Sequence, residues 1–256
     1  MDYFASTRIL VERAERHLSE FQSIEARFNS CRPYTMFREK DRRTGKTLFK
    51  ARINQDIPLE LGAIAFDIVG ALRSALDHAV YDSVRMVTGI RAPENTKFPF
   101  GKTKKKATEN IGGKKSPTPS ELRTLFLRRF KPYQRGNRPL YALNEIRNQK
   151  IHRMLSPMAI AHQSVSFGNG YIGALHIEHL DPKWDRRKRE LTYMTAGSAE
   201  NVRIEISIEV QILLDQPAFF RGKAAVPIFQ DLIRIVSDII LAIEAASTAL
   251  LAKKKK

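Results

Sequence analysis

Cysteine is almost missing from this sequence: Cys31 is the only one among 256 residues. An intramolecular disulfide and any multi-cysteine zinc site are excluded, and a reducing compartment suits the chain. No phosphate-binding P-loop and no strand-turn-helix dinucleotide fingerprint is read along it, and no serine sits in a Gly-x-Ser-x-Gly turn. Internal repeats are lacking as well. An uninterrupted apolar run is also missing, because Asp231, Arg234, Asp238 and Glu244 break the longest one, Val226 to Ala252. Charges at those intervals are costly at a bilayer centre, so this segment is expected to be a core helix and no membrane span is expected. Asp2, Arg8, Glu12 and Arg13 likewise break the first apolar stretch and argue against a signal peptide.

Negative charge is in short supply. Lysine and arginine number 44 against 27 aspartate and glutamate, giving a net charge of +17 and a pI near 10.1. Such an excess makes nucleic acid a candidate polyanionic partner, and the chain is expected in the cytoplasm. It is concentrated in Lys102-Thr103-Lys104-Lys105-Lys106, Lys114-Lys115, Arg128-Arg129-Phe130-Lys131 with Tyr133, Arg135 and Arg138, and Arg186 to Arg189. Tyr133 offers a ring for base stacking, whereas Phe130 reads as core. The four terminal lysines read as a solvated tail. Hydrophobic residues at 43% and charged residues at 28% are ordinary for a folded chain.

Periodicity predicts one α+β domain with a helical majority: a helical bundle carrying an N-terminal β-hairpin and an inserted antiparallel sheet. The helical core is expected over about 1–31, 58–88, 119–156 and 225–252, the hairpin over 34–54, a basic surface loop over 89–119 and the sheet over 158–214. The longest helix, opened by Pro58, presents Leu61, Ile64, Ile68, Val69, Leu72, Leu76, Val80 and Val87 over a wide arc and is expected at the centre. Phe98-Pro99-Phe100 should anchor the loop. Ser120 is expected to cap a helix through Phe130, and Pro139 to open one reaching about Leu155. Strict alternation from Val202 to Ile212 predicts a half-buried strand.

The most informative short stretch is Arg147-Asn148-Gln149-Lys150-Ile151-His152. It resembles the Arg-x(4–6)-His signature of HEPN domains, helical-bundle proteins of which many are dimeric, metal-independent ribonucleases. The whole chain is also similar to a broad, functionally uncharacterised bacterial family. That likeness rests on Leu72-Arg73-Ser74-Ala75-Leu76-Asp77-His78, Phe98-Pro99, Pro132-Tyr133-Gln134-Arg135-Gly136 and the helix from Asn144 to His152. The resemblance implies a homodimeric cleft with no cofactor or metal, and a toxin-like role would add an inhibitory protein partner.

The chemistry suits these residue types. RNA cleavage requires the attacking 2′-hydroxyl to lose a proton and the leaving 5′-oxygen to gain one, and histidine serves either step near neutral pH. Arginine holds phosphoryl oxygens in its planar fork as charge develops. His152 is thus assigned acid/base work, Arg147 phosphate stabilisation and Asn148 positioning. Asn144, Asp77 and His78 are secondary candidates, and Lys104, Lys105, Lys106, Arg135, Arg138 and Arg153 are candidate phosphate contacts.

On a regular helix, positions 147 and 152 diverge by about 140°, so distortion or a second subunit would be needed to bring both to one phosphate. Arg147 falls within the apolar arc of Leu140, Leu143, Ile151 and Met154, while Asn144, Asn148 and His152 form a row beside it. A structural reading therefore stands beside the catalytic one: Arg147 buried against Asp67 or Asp77, in a non-catalytic nucleic-acid-binding or scaffold protein. Two weaker candidates are set aside. Asp77 and His78 are adjacent on a helix and point apart, so with Ser74 they do not form a triad. His176 and Glu178 share a strand face from which His179 points away, which is too few ligands for a metal.

Overall fold

The computed structural model describes residues 2–93, 96–112, 118–148, 155–166, 177–179, 182–197 and 205–254. The fold is α+β with a helical majority, and the chain divides into two compact units. One comprises Met1–Gln22, Glu60–Met154 and Leu214–Lys256, the other Ser23–Leu59 and Leu155–Leu213.

The first unit is helical. Helix α1 (Ala5–Ser30) contributes its N-terminal part, and α2 (Leu59–Thr88) follows Pro58. All eight apolar residues expected on the α2 stripe, Leu61 to Val87, are buried, as a central helix requires. The C-terminal α6 (Ala225–Lys254) enters from the short strand β8 (Lys223–Ala224). By length and composition α6 is the one described helix apolar enough to cross a membrane. Here Ile228, Phe229, Leu232, Val236, Ile240 and Ile243 are buried in the core, with Phe229 edge-on to Phe21 at 5.6 Å. Polar contacts fix its register: Ser83 and Ser247 share a buried hydrogen bond of 2.7 Å, and Arg8 reaches Glu244 at 3.2 Å. Lys254 donates to the carbonyl of Val87 at 2.8 Å, satisfying a free acceptor at the end of α2.

Between α2 and α6 the structure departs from expectation in three places. The segment read as a loop over 89–119 contains α3 (Lys104–Ile111), whose first turn is capped by Thr103 Oγ1 accepting from the Lys106 N–H at 3.1 Å. Helix α4 (Ser120–Thr124) continues as a π-helical turn, Leu125–Phe130; Ser120 lies inside α4 and bonds Glu121 instead of capping it. Helix α5 (Arg138–Arg147), capped by Asn137, ends well before Leu155. Leu155 instead opens strand β3 (Leu155–Ser166), in keeping with Pro157, which biases the residue before it toward extended backbone. Asn144 and Asn148 are also weak helix formers, and Asn148 is the C-cap.

The second unit is built on sheet. Strands β1 (Tyr34–Lys40) and β2 (Thr47–Ile53) form the expected hairpin, whose turn is held by Asp41 accepting from the Arg43 N–H and the Thr44 hydroxyl. The hairpin extends into a larger sheet instead of standing alone. Strand β2 pairs antiparallel with β6 (Glu190–Ala196), which also carries β4 (Ile177–His179) and β5 (Lys183–Asp185). Strand β3 lies beside β7 (Glu205–Leu214) in a second sheet. Phe28, Phe49, Ile53, Leu191, Met194 and Val210 pack into the core of this unit. The last turns of α1 are tied to β7 by side chains that imitate a strand. Asn29 both accepts from and donates to the Val210 backbone at 2.7 and 3.1 Å, and Glu25 accepts from the Ile212 N–H at 3.1 Å.

Candidate nucleic-acid interface

Three stretches singled out in the sequence meet in the first unit around a residue that sequence reasoning did not weigh, Arg73. Its guanidinium forms an ion pair with Asp77 one turn along α2, and its Nε donates to Asn144 Oδ1 of α5 at 3.3 Å. It also stacks 4.6 Å above the Phe100 ring. Asp77 in turn accepts from the Phe98 N–H at 2.7 Å. Phe98 is fully buried among Phe100, Phe126 and Phe130 at 4.9–6.4 Å, so the expected anchor is present. Asp77 and Asn144, held as secondary site residues, are thus engaged in fixing α2, α5 and the 98–100 segment to one another. An arginine four residues before an aspartate on one helix was the available signal for Arg73.

Immediately beyond this anchor the chain brings its basic runs together. Gly101 donates to the carbonyl of Pro132 at 3.1 Å and forms a bridge with Tyr133. Gly101 has no room for a side chain, since an added Cβ would collide with the backbone of Ala107 at the start of α3. Gly136 is equally confined by the backbone of Lys131. Residues 131–137 curl into a tight turn in which Lys131 takes φ +50° and its carbonyl accepts from both Tyr133 and Asn137. Lys102, Lys104, Lys105 and Lys106 are exposed beside this junction, as are Arg128, Arg129, Lys131, Arg135 and Arg138 on the segments it joins. Tyr133 lies half-buried, and Phe130 belongs to the core. From 102 to 138 there are twelve lysines and arginines against two glutamates, which is +10 of the chain's +17. Three lysines occupy the first turn of α3, where the helix dipole disfavours cations and no acidic residue offsets them. Such placement weakens the helix and strengthens an anion site.

The Arg147 motif is arranged differently from its expectation. Arg147 and Asn148 are both exposed at the end of α5, so Arg147 is not buried against another helix and is not neutralised by Asp67 or Asp77. Asp67 is itself exposed, and Asp77 is bound to Arg73. Helix α5 ends at Arg147 with Asn148 as its C-cap, and the rest of the row expected from Asn144 through Asn148 to His152 lies outside the described residues. His152 and Arg153 lie outside the described residues, as do Lys114, Lys115 and His176. The string Gly168-Asn169-Gly170-Tyr171-Ile172-Gly173 has the glycine spacing of a dinucleotide-binding turn, contrary to the expectation that no such fingerprint is present. It too lies outside the described residues, and the first element described after it is strand β4, where a dinucleotide fold would place a helix.

His78 stands apart from the Arg147 motif and opens on a cavity of about 530 Å³. Its Nδ1 lies 3.1 Å from Ser6 Oγ. Asp82, one turn on and buried, accepts from the Thr7 hydroxyl at 3.4 Å. Burial pushes its carboxyl above the ordinary aspartate range, against the opposing pull of His78, Thr7, Arg85 and Ser6. Among the described residues no three His, Cys, Asp or Glu side chains converge as metal ligands. No protein-family model, curated protein or solved structure matches the chain.

Proposed function

We propose that this is a cytoplasmic, HEPN-like RNA-binding protein that grips the phosphate backbone with the surface from Lys102 to Arg138. The observation carrying this reading is the Gly101–Tyr133 junction, which gathers two basic runs separated in sequence onto one region with a tyrosine among them. Lys104, Lys105, Lys106, Arg135 and Arg138 neutralise phosphates, and Tyr133 offers a face to a base. Cleavage without metal, in a homodimeric cleft, is assigned to His152 as acid/base, Arg147 as phosphate ligand and Asn148 as positioning group. Exposure of Arg147 and Asn148 supports this assignment, since both are open to a polyanion. Arg153 adds a further contact.

The test is binding of single-stranded RNA measured by fluorescence anisotropy across a salt series. Affinity should fall with a log–log slope of about −0.7 per phosphate neutralised. Replacing Lys104, Lys105, Lys106, Arg135 and Arg138 together by glutamine should flatten that slope by about 3.5. Binding that ignores salt, or that survives the five replacements intact, refutes the assignment of the surface.

A non-catalytic binding or scaffold protein is the second reading. It is favoured by the early end of α5, which removes the continuous motif helix that the HEPN resemblance implies. RNA bound with the expected salt slope but left uncut in EDTA would select it.

A further inference from the structure

We infer that a groove formed by the start of α1, the second half of α2 and the segments after α2 binds a nucleoside phosphate, with its base against Tyr81 and its phosphate on Arg85 and Lys97. Two cavities, of about 530 and 370 Å³, meet at Tyr81 and Arg85. The first runs from Ser6 and His78 to Thr96 and Lys97, and the second from Tyr81 to Tyr3 and Arg91. Each is within the size range of small-ligand sites.

The chemistry of the lining selects the ligand. The Arg85 guanidinium lies 5.9 Å from the ring centres of both Tyr3 and Tyr81, so cation and aromatics alternate along the groove. Planar bases stack on such rings, and arginine presents a fork that fits phosphate oxygens. Lys97 is exposed at one end, and His78 and Ser6 place a ring nitrogen and a hydroxyl between. Among the described residues two carboxylates line the same space, and both are already engaged. Asp77 is bound by Arg73 and the Phe98 N–H, and Asp82 is buried with a hydrogen bond from Thr7. What remains toward an entering molecule is cationic, aromatic and hydroxylic. Carboxylic metabolites and simple anions would use the cations alone and leave both tyrosines without a role.

The groove shares no residue with the Lys102–Arg138 surface, so it goes beyond the RNA-binding reading and can fail separately from it. A free nucleotide and one nucleotide of an RNA strand present the same chemistry.

The experiment is calorimetric titration of the full chain with AMP, UMP, adenosine and inorganic phosphate, repeated on Lys97→Ala and Tyr81→Leu after their folding is confirmed by circular dichroism. One saturable site per chain for the monophosphates is expected, at least tenfold tighter than for adenosine or phosphate. Lys97→Ala should weaken the monophosphates five- to tenfold, whereas Tyr81→Leu should weaken them and leave phosphate unaffected. No saturable monophosphate binding at millimolar concentration, phosphate binding as tightly as AMP, or indifference to both substitutions overturns the inference. Anisotropy with a single-stranded oligonucleotide identifies the source. Loss of affinity in the groove variants points to an RNA strand, and unchanged RNA affinity beside impaired AMP binding points to a free nucleotide. Loss of RNA binding in the five-glutamine variant with AMP binding retained bears only on the basic surface.

Discussion

Arg73 of α2 and Asn144 of α5 meet at 3.3 Å, Nε to Oδ1, and the same guanidinium holds Asp77 and covers the Phe100 ring. One side chain therefore ties two helices to the segment that leads into the basic surface. Its side chain is 11% exposed and that of Asp77 31%, so the pair is only partly screened by water. Arg73→Met should destabilise the protein by about 2 kcal/mol, below the range for fully buried pairs because Asp77 keeps some solvent. Asn144→Ala should cost about 1 kcal/mol, the value of one hydrogen bond. Urea denaturation of both variants checks this, and a wild-type midpoint for Arg73→Met would show that the contact is idle.

Phe98 is the apolar counterpart of that clasp. It contacts Phe100, Phe126 and Phe130, and its backbone N–H is the donor to Asp77. Truncation to alanine leaves a cavity in an aromatic cluster and should cost about 3–5 kcal/mol, whereas Phe98→Leu should lose much less. The cluster also seats α3, because Asn110 donates to the Phe100 carbonyl at 2.6 Å. Phe98→Ala should accordingly raise amide exchange across Lys104–Ile111 before it affects the middle of α2. Uniform exchange across both helices would show that α3 does not depend on this anchor.

Local pattern made the long elements legible. Spacing over 20 or more residues marks α1, α2 and α6, and two short strand-like runs joined by a turn through Arg43-Thr44-Gly45 mark the hairpin. Elements that depend on distant partners escaped. Helix α3 has eight residues of mostly lysine and polar side chains, and only Ala107 and Ile111 are buried. Its seat is supplied by Phe100 and Gly101, which no window around 104–111 contains. The end of α5 is not legible in the spacing, because Ile151 and Met154 continue the helical period, while Pro157 acts across the boundary. The candidate site shows the same division. Exposed lysines and arginines were legible as charge, but their gathering around Tyr133 depends on a Gly101–Pro132 contact between residues 31 apart. Arg73 lies inside the Leu72–His78 stretch, but its three partners come from the next turn of α2, another helix and a loop, so no local window joins them.

Asp82 makes stability depend on pH in a direction opposite to that of most salt-bridged carboxylates. Burial raises its pKa, so its ionisation opposes folding. Its stabilising neutral form is fully present below the unfolded aspartate range and is lost as pH rises through the raised folded value. Asp82→Asn imitates the neutral form and keeps an acceptor for Thr7. The variant should melt a few degrees above wild type at pH 7, and the difference should shrink as pH falls toward the aspartate range. Paired thermal melts at pH 7 and pH 4 decide it. A difference that stays constant, or a variant less stable at pH 7, would mean that His78 and Arg85 outweigh burial at this carboxylate.

Arg147 separates the two readings of function most sharply, because its exposure removes the structural reason for keeping it. A buried, paired arginine would cost several kcal/mol to delete, but an exposed one at a helix end should cost no more than about 0.5 kcal/mol. The melting temperature of Arg147→Ala should therefore match wild type. If cleavage resides here, wild-type protein incubated with mixed RNA in EDTA should leave 2′,3′-cyclic phosphate ends. Arg147→Ala and His152→Ala should leave none, while RNA affinity stays within about threefold. The cyclic end follows from attack by the neighbouring 2′-hydroxyl, so end-group analysis also separates this chemistry from a contaminating enzyme that uses water as nucleophile. Equal cleavage by wild type and both variants would remove the motif from catalysis. Intact RNA with all three proteins, beside a preserved salt slope, would leave a binding protein whose exposed arginine is one more phosphate contact.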